Sequence, residues 1–399
     1  MSGNKQYTVA IVGAGSGGIS VAARLVREAA HLRGKIVLID PAEKHYYQPL
    51  WTLVGAGAAK KEYTERDQSS LIPKGVDWLK ESVIAFEPDN NQLTTDDGTT
   101  ISYQYLVVAA GIQINWHKVV GLKEAIGKDG VCSNYSYDYV SSTWESLQNF
   151  KGGNAIFTQP NTPIKCGGAP QKIMYLADDY FRKSGVREKS NVIFASASGG
   201  IFAVKKYADA LNQVVERKNI TAKYKKNLVV IDADNKNAVF EDVDSGERET
   251  VHYDMIHVTP PMGPPDFIAE SQLADEAGWI DVDPYTLQHK RYDNVFSLGD
   301  CSNLPTSKTG AAIRKQAPVT VYNLLNLMRN KEMTQQYDGY TSCPLVTGYN
   351  SLVLAEFDYD NNPMESFPFD QSKERYSMFL MKKNFLPVMY WDGMLKGVM

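Results

Sequence analysis

Residues 9–18 read Val-Ala-Ile-Val-Gly-Ala-Gly-Ser-Gly-Gly, a short apolar run that ends in glycines at positions 13, 15 and 18. Gly13 permits a tight turn from strand to helix, Gly15 lets backbone approach a pyrophosphate, and Gly18 lets the helix pack on the strand. The N–H groups at the helix N-terminus would face the phosphates. The pattern therefore predicts a dinucleotide-binding turn.

The flanking sequence supports this interpretation. A helix is predicted after the turn from apolar residues at helical spacing, namely Ile19, Ala22, Ala23 and Val26. A second strand at residues 36–39 ends in Asp40, whose carboxylate is placed to bind a ribose hydroxyl. A glycine-rich turn without a ligand is the alternative, and the complete strand–turn–helix–strand context disfavours it.

Composition sets the outer limits. The chain has 399 residues, 43% of them hydrophobic, which is enough for two or three domains and a large core. A net charge of −4 without a basic block argues against nucleic acid as a partner. Since no stretch reaches 18 consecutive apolar residues, we expect no spanning helix. Because the first strand is predicted directly after the first few residues, we also expect no signal or transit peptide.

Further strands predict two α/β units. Strands at 76–86, 92–95 and 101–111, the last closing on Gly111, complete a first unit over residues 1–113. Strands at 154–158 and 191–194 belong to a second unit over residues 114–274, which the proline-rich stretch 259–265 connects back to the first. A strand ending in Gly299-Asp300 and a helix at 309–328 then extend the first unit over residues 275–345.

The second unit has an incomplete dinucleotide motif. Its strand runs Val192-Ile-Phe-Ala-Ser-Ala-Ser-Gly-Gly200, with Ser196 and Ala197 where glycines are expected. A Cβ at these positions blocks close approach of a pyrophosphate to the backbone. We therefore expect a degenerate site, with no NAD(P)H as electron donor.

Four cysteines, at 132, 166, 301 and 343, lack the spacing of a zinc site or a CxxC motif, so no metal is expected. Cys166 precedes Pro170 and a helical pattern, which places its thiol ahead of the positive helix end and lowers its pKa. Lys165 and Lys172 add positive charge nearby. Cys343 precedes Pro344 in a stretch predicted to be irregular.

Several of these stretches carry a family resemblance. Residues 13–18 with Asp40, 109–111 and 295–300 resemble the FAD-binding set of the disulfide-reductase superfamily of flavoproteins. Within it, the chain closely resembles the mitochondrial-type branch of the sulfide:quinone oxidoreductase family over nearly its whole length. The stretches that carry this second likeness are residues 45–57, 161–172, 304–309, 340–350 and 367–375.

The resemblance implies an α/β fold of two Rossmann-like domains: an FAD-binding domain (1–113 and 275–345), interrupted by a degenerate second one (114–274). Residues 346–399 would form a C-terminal region associated with membrane and quinone. Non-covalent FAD would be held by Gly13, Gly15, Gly18, Asp40, Gln48, Gly111, Asp300 and Lys308. The same likeness implies that Lys172 and Lys382 steady the flavin or the quinone. For each lysine, a solvated surface position is the alternative.

The implied chemistry centres on Cys166 and Cys343 as a redox-active pair; a structural disulfide is the alternative. Sulfide would attack the oxidised pair and leave a persulfide on Cys343, and electrons would pass through FAD to a quinone. Sulfite, glutathione or another thiol would remove the sulfur. Cys132 resembles in spacing a third redox cysteine of the bacterial branch, although a buried packing role is favoured for it, as it is for Cys301.

Location and partners are implied in the same way. Residues 378–399 mix large apolar residues with lysines and would lie in the membrane interface. The face predicted to point into the membrane is Phe379, Leu380, Phe385, Leu386, Met389 and Trp391. We expect a peripheral protein on the cytoplasmic face of a bacterial plasma membrane, with the mitochondrial inner membrane as the alternative, and a homo-oligomer is possible. Two other functions stay open: a type II NADH:quinone oxidoreductase, and a non-catalytic flavin- or sulfur-binding subunit.

Overall fold

A computed structural model describes residues 5–399. The chain up to residue 108 alternates short strands with helices. These elements are β1 (Lys5–Val12), α1 (Ser16–Glu28), β2 (Ile36–Ile39), β3 (Lys44–Tyr46), α2 (Trp51–Gly55), β4 (Glu65–Asp67), β5 (Val76–Leu79), β6 (Val83–Glu87), β7 (Gln92–Thr95) and β8 (Thr100–Val108).

The middle of the chain continues the alternation. Its elements are β9 (Gln113–Ile114), α3 (Leu122–Ala125), β10 (Val131–Cys132), α4 (Val140–Asn149), β11 (Gly153–Gln159), α5 (Ala169–Ser184), β12 (Ser190–Ser196), α6 (Lys205–Arg217), β13 (Thr221–Tyr224), β14 (Lys226–Asp232), β15 (Asn237–Asp242), β16 (Arg248–His252), β17 (Met255–His257), β18 (Met262–Gly263) and α7 (Asp266–Ala269).

The last part of the chain holds a strand, a long helix, a hairpin and a series of short helices. These are β19 (Val295–Ser297), α8 (Gly310–Met328), β20 (Thr341–Gly348), β21 (Ser351–Phe357), α9 (Tyr376–Leu380) and α10 (Leu386–Val388). Two π-helical turns, Met381–Phe385 and Met389–Gly393, flank α10. We refer to residues 376–399 as the C-terminal segment.

The larger sheet has the strand order β5-β2-β1-β8-β7-β6, with β19 paired to β8. β5, β2, β1, β8 and β19 run parallel, and Val295 pairs with Leu106. A strand from late in the chain thus completes a sheet begun at the N-terminus. The carboxyl ends of its parallel strands meet at one edge, which is where ligands bind in open α/β sheets.

The second sheet has the order β10-β17-β11-β12-β13, and all its strands are parallel. Beside it lies the antiparallel meander β14-β15-β16. The predicted α/β class with two Rossmann-like sheets is confirmed. The domain boundaries at residues 113, 274 and 345 stay predictions.

A shared hydrophobic core joins the two sheets to the end of the chain. One cluster of buried side chains extends from Ile19 of α1 through Ile173 of α5 to Leu345 of β20 and Trp391 of the C-terminal segment. Within residues 5–399, no helix combines the length and the hydropathy needed to cross a membrane.

The stretch after Asp40 contains β3 and α2, and the proline-rich connection contains the short strand β18, which pairs with β9. One local prediction was wrong. Phe379 and Trp391, predicted to face a membrane, are each 4% exposed and belong to the core. The π-helical turns rotate successive side chains away from the simple helical face that the prediction assumed.

Candidate active site

Glycines shape the turn at residues 13–18, which we call the glycine turn. Gly13 has a φ of +95°, and a Cβ there would lie 2.5 Å from the carbonyl oxygen of Ala109. A Cβ on Gly18 would lie 1.8 Å from the carbonyl oxygen of Gly13, so α1 packs on β1 only with glycine at this position. At Gly15 no atom lies within 4 Å of such a Cβ. The turn therefore has no room for a side chain at Gly13 or Gly18 but has open space at Gly15, where a pyrophosphate would approach.

Asp40 follows β2 and braces this turn. Its carboxylate accepts hydrogen bonds from the backbone N–H groups of Ala14, at 2.7 Å, and Ala42, at 2.8 Å. Burial raises the pKa of Asp40, and the two backbone hydrogen bonds oppose that rise. Each carboxylate oxygen can accept further hydrogen bonds. The bracing role is therefore compatible with the ribose contact, which stays a prediction.

Gln48, Asp300 and Lys308 are linked through Lys165. The Lys165 Nζ donates to Gln48 Oε1 at 2.8 Å, and the backbones of Lys165 and Lys308 form a β-bridge. The Lys308 Nζ donates to the carbonyl oxygens of Asp300, at 2.7 Å, and Ser302, at 3.1 Å. Burial raises the pKa of Asp300 against the charges of the two lysines, and it lowers the pKa of Lys165 to about 8. Gln48 is exposed and the other three residues are half-buried, so together they form one partly buried polar cluster.

This edge of the larger sheet fits an FAD. It carries the glycine turn, Asp40, Gly111 and Asp300, each just beyond the carboxyl end of a parallel strand. Gly111 has a φ of +76° and, like Gly15, has no atom within 4 Å of an added Cβ. Two glycines with open space on one edge, next to the N-terminus of a 13-residue helix, form a cradle that a side chain would fill.

Two elements bring Cys166 and Cys343 together. Cys343 is fully buried in β20, where the sequence predicted an irregular stretch; Pro344 is tolerated because the hairpin has only two strands. Cys166 lies before α5 with a φ of +56°. A Cβ on Gly168 would lie 2.2 Å from the Leu345 side chain, so glycine lets this loop reach β20. Cys343 and Leu345 share one face of the strand, and that face meets the Cys166 loop.

The two thiols have opposite electrostatic environments. A hydrogen bond from Cys343 holds the pKa of Cys166 well below its usual range, against burial, and the charge of Lys172 acts in the same direction. The Lys172 Nζ lies 3.1 Å from the Cys166 Sγ. Hydrogen bonding to Cys166 and burial raise the pKa of Cys343. These surroundings favour the thiolate form at Cys166 and the thiol form at Cys343.

Lys382 of the C-terminal segment is the second lysine at the pair. It is 3% exposed, and its Nζ donates to the carbonyl oxygen of Pro49 at 3.0 Å. Burial and the charge of Lys172 lower its pKa to about 7, and both cysteines oppose that shift. Neither lysine is a solvated surface residue, so that alternative is wrong for both.

Cys132 and Cys301 form hydrogen bonds to backbone carbonyl oxygens rather than to this pair. The Cys132 Sγ donates to the carbonyl oxygen of Ile256 at 3.5 Å, and burial raises the pKa of Cys132 to about 12. Cys301 is buried against the carbonyl oxygen of Val108 at 3.5 Å, and burial raises its pKa as well. Both environments favour a packing role over a reactive thiolate.

The degenerate motif forms a longer connection than the glycine turn. β12 ends at Ser196 and α6 begins at Lys205, so residues 197–204, which we call the second turn, separate strand from helix. Part of this turn lines a cavity of about 710 Å³. The other walls of the cavity include residues 162–164, 167, 302–308, 357–359 and 361. The cavity therefore reaches Gly167, next to Cys166.

Sequence reasoning missed other residues near the site. Tyr135 is buried, and burial together with the charges of Cys166 and Cys343 raises the pKa of its hydroxyl. Gln68 and Tyr390 contact His45, which was named only as the start of a stretch that carries the family resemblance. No local pattern marks these positions, because their contacts join distant parts of the chain.

Comparison with known proteins agrees with this architecture. Residues 7–141 match the pyridine nucleotide-disulphide oxidoreductase family. The structure of the sulfide:quinone oxidoreductase from Aquifex aeolicus superposes with a TM-score of 0.83 at 20% identity, covering 99% of this chain and 92% of that one. That likeness concerns the fold.

Two curated relatives carry the family assignment. The chain is 51% identical to the mitochondrial sulfide:quinone oxidoreductase of Mus musculus, covering 98% of this chain and 87% of the relative. It is 52% identical to the mitochondrial enzyme of Dictyostelium discoideum, covering 98% and 86%. Neither relative supports the bacterial location that the sequence reading preferred. At this identity over nearly the full length, the chain belongs to the sulfide:quinone oxidoreductase family.

Proposed function

We propose that this protein oxidises sulfide and passes the electrons through FAD to a quinone. The observation that carries the proposal is the Cys166–Cys343 contact, with the Lys172 Nζ 3.1 Å from the Cys166 sulfur. Thiol–disulfide exchange proceeds by thiolate attack, and the thiol with the lower pKa leaves faster. A pair with one lowered and one raised pKa therefore gives the exchange a direction.

That direction assigns the roles of the two sulfurs. Hydrosulfide attacks the Sγ of Cys343 in the oxidised pair; a new S–S bond forms there and the Cys166–Cys343 bond breaks. The electron pair of the broken bond goes to Cys166, whose thiolate Lys172 stabilises. The products are a Cys343 persulfide and a Cys166 thiolate. Lys382 is a second lysine beside the pair, and both cysteines favour its protonated form.

FAD would be held non-covalently at the edge of the larger sheet. The backbone N–H groups at the start of α1 would face its pyrophosphate, with Gly15 leaving the space and Asp40 taking the ribose. Gln48, Gly111, Asp300 and Lys308 are proposed to line the rest of the site. When bound, FAD supplies a two-electron acceptor that can pass electrons on to a quinone.

The cavity beside Cys166 is the proposed entry of the sulfur acceptor. Its wall includes Gly167 and Lys308, and most of its other polar side chains are uncharged, as are Ser198 and Asn303. Sulfite, glutathione or another small thiol would approach the persulfide from this side. No NAD(P)H site is proposed there, since the end of β12 and the start of the second turn place Ser196 and Ala197 where a pyrophosphate needs glycines.

Association with a membrane surface is proposed through the C-terminal segment. Tyr376, Phe385 and Val388 are each 55% exposed, which is unusual for side chains of this size and supports contact with an apolar phase. Because a quinone is lipid-soluble, the protein must bind it at a membrane. With two mitochondrial relatives, we favour the mitochondrial inner membrane.

The test is the visible flavin band of the purified protein under anaerobic conditions. Sulfide should bleach the band and a short-chain quinone should restore it, whereas NADH at micromolar concentration should leave it unchanged. Rapid bleaching by NADH would instead establish a type II NADH:quinone oxidoreductase. Bleaching by sulfide without steady-state quinone reduction by the isolated chain would indicate a flavin- or sulfur-binding subunit.

A further inference from the structure

The C-terminal segment reaches the glycine turn through one side chain. Tyr390 is 7% exposed and belongs to the π-helical turn Met389–Gly393. Its hydroxyl oxygen lies 2.7 Å from the Oγ of Ser16 and 2.5 Å from the Nε2 of His45. Ser16 is the first residue of α1, directly after Gly15. A residue near the end of the chain thus contacts the turn at its beginning.

The direction of each hydrogen bond can be assigned. The Gln68 Nε2 donates to the carbonyl oxygen of Ala14 at 2.8 Å, so the Gln68 Oε1, 3.1 Å from His45 Nδ1, is an acceptor. His45 Nδ1 therefore carries a proton. Burial lowers the pKa of His45 to about 4, so the ring is neutral at pH 7 and Nε2 accepts from the Tyr390 hydroxyl. The Tyr390 oxygen in turn accepts from Ser16.

These bonds form a closed ring. They run from Ser16 to Tyr390, His45 and Gln68 and return to the backbone of Ala14, so both ends lie in the glycine turn. The side chains of Tyr390, His45 and Gln68 each donate one hydrogen bond of the ring and accept another. We call this arrangement the hydrogen-bond ring.

Packing supports the same contact. The ring of Tyr47 lies 4.6 Å from that of Tyr390, centroid to centroid, and the guanidinium of Arg66 lies 4.3 Å from the Trp391 ring. A Cβ on Gly397 would lie 2.8 Å from the backbone nitrogen of Arg24, so the segment presses directly on α1.

We propose that Tyr390 is a positioning residue: it holds the C-terminal segment against the glycine turn and so determines how tightly the turn binds FAD. The inference rests on the proposed FAD site. The hydrogen-bond ring fixes Ser16 and Ala14 on both sides of Gly15, where the pyrophosphate is expected. A turn held in one conformation loses less freedom on binding, which slows the release of the ligand.

The test measures the release of FAD from the holoenzyme, followed by the return of free-flavin fluorescence after dilution. Tyr390→Phe keeps the aromatic packing but removes the hydroxyl that both Ser16 and His45 use. We expect FAD release to become about 10-fold faster, as for the loss of a buried hydrogen bond with both partners left unpaired. Tyr322→Phe is the matched control, because Tyr322 is 40% exposed on α8 and should release FAD at the wild-type rate.

A second variant distinguishes the loss of the hydrogen-bond ring from a general loss of structure. Ser16→Ala removes the same bond from the other side, and if Tyr390→Phe does not fold, this variant carries the test. In the double variant Ser16→Ala/Tyr390→Phe, FAD release should be no faster than in Tyr390→Phe alone, because the bond can be lost only once. Release of FAD from Tyr390→Phe at the wild-type rate would overturn the proposal. Fully additive effects of the two substitutions on the rate of FAD release would overturn it as well. Full FAD content in Gly15→Val would instead show that the FAD site itself is misassigned.

Discussion

The two strand-to-helix turns of this protein start from similar parallel sheets and are built differently. In the glycine turn, three residues separate β1 from α1, and glycines at 13, 15 and 18 keep side chains out of the turn. In the second turn, eight residues separate β12 from α6. The second turn lines a cavity that reaches the cysteine loop. The first unit carries the glycine turn, while the second unit contributes one of the two paired cysteines, since Cys166 follows β11 of the second sheet.

The largest expected effect is on FAD content, and it tests whether the glycine turn or the second turn binds the cofactor. Gly15→Val places a side chain where the pyrophosphate is expected, so the purified protein should contain less than about one tenth of the wild-type FAD. Gly200→Val is the matched control. Gly200 also has open space around it, but it lies in the second turn, so this variant should keep full FAD. The ratio of flavin to protein absorbance measures both.

The outcome distinguishes the two turns. Flavin retained in Gly15→Val and lost in Gly200→Val would reverse their assignment. Loss in both variants would show that each turn contacts the cofactor.

The sequence predicted the regular parts of the fold well, for physical reasons that are local. β2 was placed at residues 36–39 and α8 at 309–328, against Ile36–Ile39 and Gly310–Met328 in the structure. Apolar periodicity and glycine placement reflect burial and backbone geometry within one element, so a single stretch contains the information.

The parts that failed depend on distant contacts. Cys343 was placed in an irregular stretch because Pro344 follows it, but the two-stranded hairpin with β21 accommodates that proline. The hydrogen-bond ring joins His45 to Tyr390, and neither side chain has a local signature. Lys172 was named as a positive charge near Cys166 in the sequence, and Lys382 from the resemblance only; their burial at Cys166 follows from the way α5 and the C-terminal segment pack.

A smaller effect is expected on the pKa of Cys166. Lys172→Met removes the ammonium group 3.1 Å from the Cys166 sulfur, so the pKa of Cys166 should rise by about 1–3 units. Measured in a Cys343→Ser background, the pH midpoint of Cys166 alkylation by iodoacetamide should move upward, because less thiolate is present at a given pH. Lys165→Met is the control, since Lys165 bonds Gln48 and should leave that midpoint in place. An unchanged midpoint in Lys172→Met would remove Lys172 from the proposed role.

The smallest effect concerns Cys132, which bonds a backbone carbonyl oxygen and not the Cys166–Cys343 pair. Cys132→Ser should retain most sulfide-dependent quinone reduction, whereas Cys166→Ser should lose it, because only Cys166 has a lowered pKa and a lysine partner. A serine hydroxyl can still donate to the carbonyl oxygen of Ile256, so the cost is limited to a slightly poorer fit in a buried site. We expect a loss of about 1–2 kcal/mol in the free energy of unfolding, measured by denaturant titration. If Cys132→Ser were as inactive as Cys166→Ser while holding FAD and unfolding at a similar denaturant concentration, sulfur chemistry would require a third cysteine, and the two-cysteine assignment would be wrong.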